Sequence, residues 1–208
     1  MNFLAHLYLS GKDENIILGN FISDAVKGSN YKNYPEDVAK GILLHREIDH
    51  FTDNHLVFRR SKGRLVPKYG IYSGIIVDIF YDHFLARNWS DYSDENLREV
   101  LAAAYFILIR KYHLLPPRSK RILPFMIAQN WLVGYAQFES LEKVFGGMSR
   151  RTNLKSGMEH SVEDLKADYQ GFEDDFREFF PQIITHIDRV RSNLIEGYSS
   201  DKHNQEIH

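Results

Sequence analysis

Apolar residues recur every third or fourth position through most of the chain, the repeat expected of helices laid against a core. They do so from Asn2 to Leu9 and from Ile16 to Val26, before a polar break at Gly28 to Tyr34. Pro35, Glu36 and Asp37 mark a helix start, because proline fits a first turn and acids favour the positive end of the helix dipole. That helix is predicted to run to about Phe51. Thr52-Asp53-Asn54 reads as the end of one helix and the cap of the next. The following basic stretch, HLVFRRSKGRLVPKYG, is expected to break at Gly63, Pro67 and Gly70.

Ile71 to Trp89 is rich in apolar residues and predicts a central helix. Ser93 is placed to cap another, reaching about Tyr112 and stopped by Pro116-Pro117. A further helix is predicted from Phe125 to Val144, closed by Gly146-Gly147. Ser161 with Asp164 suggests a variant capping box before a final helix pair, divided near Pro181 and ending near Ile195. Runs such as Ile71 to Ile79 have strand propensity, but no alternating run is framed by hairpin turns. The expectation is an all-α, compact helical bundle: one domain over residues 1–196, then a polar tail at 197–208 that frays.

Composition narrows the chemistry. Of 208 residues 43% are hydrophobic, enough for one substantial core, and no repeat or linker divides them. The formal net charge of −2 gives no overall basic field, so neither nucleic acid nor an anionic membrane is an expected partner. No apolar run is long enough to span a bilayer, and the first residues lack the features of a signal peptide. There is no cysteine, which excludes disulfides, thiolate metal sites and cysteine nucleophiles and fits a cytoplasmic protein. His, Asp and Glu remain as metal ligands.

His45 and Asp49 stand four apart, so on a helix they project about 40° from one another, workable for two ligands of one ion. Asp53 follows at the same step and is either a further ligand or a helix cap. Asp78 and Asp82 repeat the spacing inside an apolar segment, where a carboxylate must be paired, hydrogen-bonded or metal-bound. Salt bridges to Arg46 or Arg87 would serve as well as a metal. His83 points about 100° away from Asp82 and could reach a site only from its edge. Asp24 is either an ion-pair partner of Lys27 or a ligand, and His6 either a hydrogen-bonded core residue or a ligand. Inward His and Asp residues from several helices suit a metal centre that activates water for phosphoester hydrolysis. No GxSxG, P-loop, GxGxxG or HExxH motif competes with that reading.

The segments MNFLAHLYLS, GNFISDAVKG, GILLHREIDHFTDN and DIFYDHFLARNW, in that order, resemble the successive motifs of acyl carrier protein phosphodiesterases. That family is itself similar to HD-type metal-dependent phosphohydrolases. The match is densest over residues 1–90 and thins through QNWLVGY and GMSRR to DDFREFFP. The resemblance implies an HD-like bundle that hydrolyses the phosphodiester between 4'-phosphopantetheine and a serine of holo acyl carrier protein, with a divalent metal, typically manganese. No His is followed directly by Asp here, so ligands do not transfer from the HD signature. The family motifs instead imply His6, Asp24, His45, Asp49 and Asp82 as the metal set, with Asp78 a reserve or orienting acid. They imply Arg46, Lys27 and His83 as phosphate contacts or proton-transfer groups.

A carrier-protein substrate would also use the bases at Arg59, Arg60, Lys62, Arg64 and Lys68 for steering, with Arg150 and Arg151 as further candidates. The second cluster, Arg110, Lys111, Arg118, Lys120 and Arg121, reads more simply as a solvated face. Two other readings stay open: a phosphohydrolase of nucleotides or phosphate monoesters, and a non-catalytic helical module that binds an acidic partner.

Overall fold

The computed structural model describes residues 2–205, and the polar tail expected at 197–208 lies outside the residues whose side chains are described. Among the described residues there is no strand. In chain order the helices are α1 (Phe3–Ser10), α2 (Glu14–Ile22), α3 (Glu36–Asn54), α4 (Leu56–Tyr69), α5 (Ser73–Arg87) and α6 (Leu97–Arg110). They continue as α7 (Pro117–Ala128), α8 (Trp131–Gly134), α9 (Phe138–Arg151), α10 (Ser161–Ala167) and α11 (Tyr169–Gln205). Among the described residues no helix is long and apolar enough to cross a membrane.

The apolar segment expected to be central is α5, whose Phe80, Tyr81, Phe84 and Leu85 are fully buried. α11 lies along it and presents Phe172, Phe176 and Phe179 to the Phe80, Tyr81 and Phe84 rings in edge-on, tilted and stacked contacts. Aromatic pairs in such geometries add about 0.5–1.5 kcal/mol each beyond the area they bury. Asp82 and His83 of α5 are equally buried. Asp82 accepts hydrogen bonds from the Leu4 and Ala5 amides at 2.8 and 3.0 Å. It thereby satisfies two of the unpaired N–H groups that open α1, whose own N-cap Asn2 makes no side-chain cap bond. His83 lies between the Tyr135 carbonyl and the Tyr169 hydroxyl, at 2.8 and 3.0 Å.

Several predicted boundaries move. α4 runs unbroken past Gly63, and Pro67 falls in its last turn, three residues before the C-cap Gly70, at the cost of its own intrahelical hydrogen bond. Asn96, not Ser93, caps α6, its side chain accepting from the Arg98 amide. The helix expected over Phe125 to Val144 is instead three pieces. The chain turns at Asn130, which sits in the left-handed region at φ 45° and ψ 42°, a conformation asparagine tolerates better than most residues. Gly146-Gly147 lie inside α9, because burial of Leu141, Val144, Phe145 and Ser149 outweighs the roughly 1 kcal/mol that a helical glycine costs. Ser161 opens α10 without capping it, donating to the Met158 carbonyl. α11 continues through Pro181, since buried Phe179, Phe180, Ile183 and Ile187 hold the helix on both sides.

α2 and α3 pack almost backbone to backbone. A methyl at Gly19 would overlap the Val38 carbonyl oxygen, and one at Gly41 would overlap that of Ile16. Only glycine permits this approach. Leu18, Ile22, Val38 and Ile42 extend the contact into a satellite core with Leu108 and Leu123. The seam carries Asn20 directly beside His45, and that proximity builds the site.

Candidate metal centre

His6 on α1 and His45 on α3 stack with ring centroids 4.0 Å apart and planes 21° off parallel. Their Nδ1 atoms both meet the same acceptor, Asn20 Oδ1 on α2, at 2.9 and 2.8 Å. The Asn20 amide nitrogen donates to the His6 carbonyl and to Ser10 Oγ, which fixes which end of the amide faces the imidazoles. Both rings therefore carry a proton on Nδ1 and turn Nε2 the other way. There they meet Asp49, with His6 Nε2 at 3.2 Å from Oδ1 and His45 Nε2 at 3.1 Å from Oδ2. The four residues close a circuit, two stacked imidazoles held between one amide oxygen and one carboxylate. Asp24, on the turn after α2, adds an oxygen 3.4 Å from His45 Nε2.

The electrostatics follow from this circuit. Burial, reinforced by the neighbouring His45, lowers His6 to about 4 despite Asp49. Burial also opposes charge on His45, but Asp24 and Asp49 outweigh it and raise His45 to about 9. Asp49 is held well below the ordinary carboxylate range: burial works against its charge, and His45 and His6 more than offset it. Asp24 is lowered chiefly by its hydrogen bond with His45. A neutral His6 with its proton on Nδ1 aims a lone pair at a carboxylate oxygen, two acceptors that a cation between them would reconcile. One ligand atom each from His6, His45 and Asp49 lie within 4.8 Å of one another, a donor set that could hold a metal ion.

These residues stand in a cleft of about 320 Å³ whose far wall is apolar, with Leu7, Ile17, Leu108, Met126 and Leu132. Of the six ligands expected from the sequence, His6, Asp24, His45 and Asp49 come together. Asp78 lines the same cleft outside the tight group. Its carboxyl is raised, first by burial. Asp82 is elsewhere, with its oxygens on the α1 amides; burial pushes it up to about 7 against those two hydrogen bonds. Asp53 lies within α3 and lines the cleft, while His55 caps α4 in its place.

None of the three expected phosphate or proton-transfer groups lines this cleft. Arg46, one step round α3 from His45, donates to the Val26 and Gly28 carbonyls at 3.0 and 2.8 Å and covers the Tyr31 ring. Lys27 is exposed, and Asp24 turns to His45. His83 is enclosed between α5, Tyr135 and Tyr169. Asn20 is the functional residue that the sequence reading missed. Its amide oxygen is taken up by the two imidazoles, and its only signal in the sequence was its place in GNFISD, four residues before Asp24.

A family model described as acyl carrier protein phosphodiesterase matches residues 1–183. Curated relatives with that name include one from Enterobacter sp. (strain 638), 32% identical over 185 residues, which span 88% of this chain and 96% of the relative. One from Shigella boydii serotype 18 is 34% identical over 192 residues, with the same coverage. One from Escherichia coli (strain K12 / DH10B) is 33% identical over 190 residues, covering 91% of this chain and 98% of the relative. No solved structure matches the chain.

Proposed function

The chain belongs to the acyl carrier protein phosphodiesterase family, a family of hydrolases, and from that membership we propose that it releases 4'-phosphopantetheine from holo acyl carrier protein by hydrolysing the phosphodiester to serine. The observation that carries this reading is the circuit of His6, Asn20, His45 and Asp49, which opens on the cleft within the matched region.

In this reading His6, His45 and Asp49 hold a divalent cation, manganese in the first instance, with Asp24 as a fourth donor. Bound there, such an ion supplies positive charge to the phosphoryl oxygens and acidifies water. Asn20 holds both imidazoles in the Nδ1–H tautomer, which turns both Nε2 atoms toward Asp49 as the atoms that would bind the ion. The apolar wall receives the prosthetic arm. Asp78, kept toward its protonated form by burial, is the cleft group suited to protonate the departing serine oxygen. A cysteine-free chain acting on a carrier of acyl chains fits the cytoplasm and lipid synthesis.

Intact-mass spectrometry tests this reading. Holo carrier incubated with the protein and Mn2+ is expected to lose the mass of its prosthetic group, and Asp49→Ala is expected to abolish that loss. A carrier that keeps the group, beside rapid hydrolysis of nucleotides or phosphate monoesters, would overturn it.

A further inference from the structure

The scissile phosphodiester is attached directly to a side chain of the substrate protein. The surface of that protein must therefore come within a side chain's length of the cleft, and the cleft rim must be a contact surface. A second chamber of about 160 Å³ adjoins the first, and the two share Asn2, Phe3, Phe21, Asp24 and Ile75. Arg118 of α7 and Arg151 of α9 line it, both exposed.

Several of the other bases that the sequence groups together are paired within the fold. Arg60 and Arg64 pair with Asp175, Lys68 with Asp164, and Arg110 with Glu14. Arg118 and Arg151 make no ion pair among the described residues, and Asp24 is the acid that shares their chamber. Exposed apolar side chains accompany them. Ile75 on the shared wall is 41% exposed and Phe125 is 61% exposed. Phe125 lies two turns beyond Arg118 and so on the same face of α7. Arginine beside aromatic and aliphatic side chains is the composition of a protein-binding rim.

We propose that Arg118 and Arg151, with Ile75 and Phe125, form the docking surface for an acidic face of the carrier protein, beside the serine that bears the prosthetic group. This rests on the function proposed above. Two exposed guanidinium groups that make no ion pair within the fold complement carboxylates, so an acidic face of the partner fits this rim.

The test is the double charge reversal Arg118→Glu/Arg151→Glu, with Arg189→Glu on α11 as a control of equal charge change per site. Calorimetry with holo carrier protein measures binding, and steady-state kinetics compare the carrier with bis(p-nitrophenyl) phosphate, a small diester with no protein surface. The expected result is carrier binding weakened and KM raised roughly tenfold or more, with kcat and small-diester hydrolysis as in wild type. Arg118→Lys/Arg151→Lys should keep most of the binding, and Arg189→Glu should change little. Unchanged carrier affinity in the double reversal overturns the proposal. Equal loss on both substrates also overturns it, because the arginines would then serve the phosphoryl group. Wild-type protein that binds the carrier without cleaving it sinks the proposed reaction alone, and the binding comparison still decides the docking surface. Wild type that does not bind the carrier sinks the docking surface.

Discussion

A single oxygen, that of the Asn20 amide, accepts from both imidazoles of the site, while the amide nitrogen is anchored on the His6 carbonyl and Ser10. Replacing Asn20 by Ala removes the group that sets both tautomers, and Mn2+ affinity is expected to fall about ten- to hundredfold, as for other groups that orient ligands. Competition with a fluorescent chelator measures it. An Asn20→Ala protein that is less stable but binds Mn2+ as wild type would show the amide to be structural only. His83 gives a prediction of another kind. Burial lowers its pKa, its Nδ1–H donates to the Tyr135 carbonyl, and the Tyr169 hydroxyl donates to its bare Nε2. The unfolded chain takes up a proton near pH 6.5 that the native protein resists, so this contribution is complete above about pH 6.5 and is lost as pH falls below it. Urea midpoints at about pH 7.5 and about pH 5.5 should differ less in His83→Gln than in wild type. An identical drop in both would assign the acid sensitivity to other groups. Residues of this kind divide sharply in legibility. The His45–Asp49 spacing announces itself, whereas a buried acid such as Asp82 announces only that something must satisfy it. Its partners are amides nearly eighty positions away, and spacing holds no trace of them.

At the scale of elements, the α2–α3 seam fixes how far the Asn20 side chain stands from His45. Gly41→Ala is expected to force the helices apart, lowering stability by about 1–3 kcal/mol, the usual cost of overpacking, and weakening Mn2+ binding with it. Urea unfolding and chelator competition on the same preparation read both effects. A destabilised variant with intact metal affinity would mean that the site tolerates the displacement. The helices themselves were largely legible, because the three-to-four repeat survives wherever one face is buried. Their ends were less so. Gly63, Gly146 and Pro181 are local obstacles, and whether a helix stops at one depends on apolar contacts from other segments. Asn130 shows the converse, a break at a residue that no pattern flagged.

For the molecule as a whole, the donor set joins α1 to α3, with Asp24 on the turn after α2, so a bound cation would tie together segments that the unfolded chain leaves apart. Mn2+ at a hundredfold excess over its dissociation constant should add about 2.7 kcal/mol of stability, seen as a raised Tm that EDTA reverses and Asp49→Ala lacks. A melting curve indifferent to Mn2+ would remove the cation from the proposal. The distribution of charge is where the sequence misled most. The cluster from Arg59 to Lys68 looks like a surface for an acidic partner, yet Arg60 and Arg64 close on the buried Asp175 and bind α4 to α11. Composition counts charges without pairing them, and only the fold separates those already neutralised from those still available.

The anchoring of α1 by Asp82 has a practical consequence for handling the protein. That anchor holds the start of the helix against the interior, so Asn2 and Phe3 form part of the wall of both chambers. A purification handle fused ahead of them would join the chain beside both chambers, where the carrier protein is proposed to dock. A handle on the opposite terminus follows α11, none of whose described residues lines either chamber. Kinetic work on this protein is therefore best begun with material tagged at its C-terminal end.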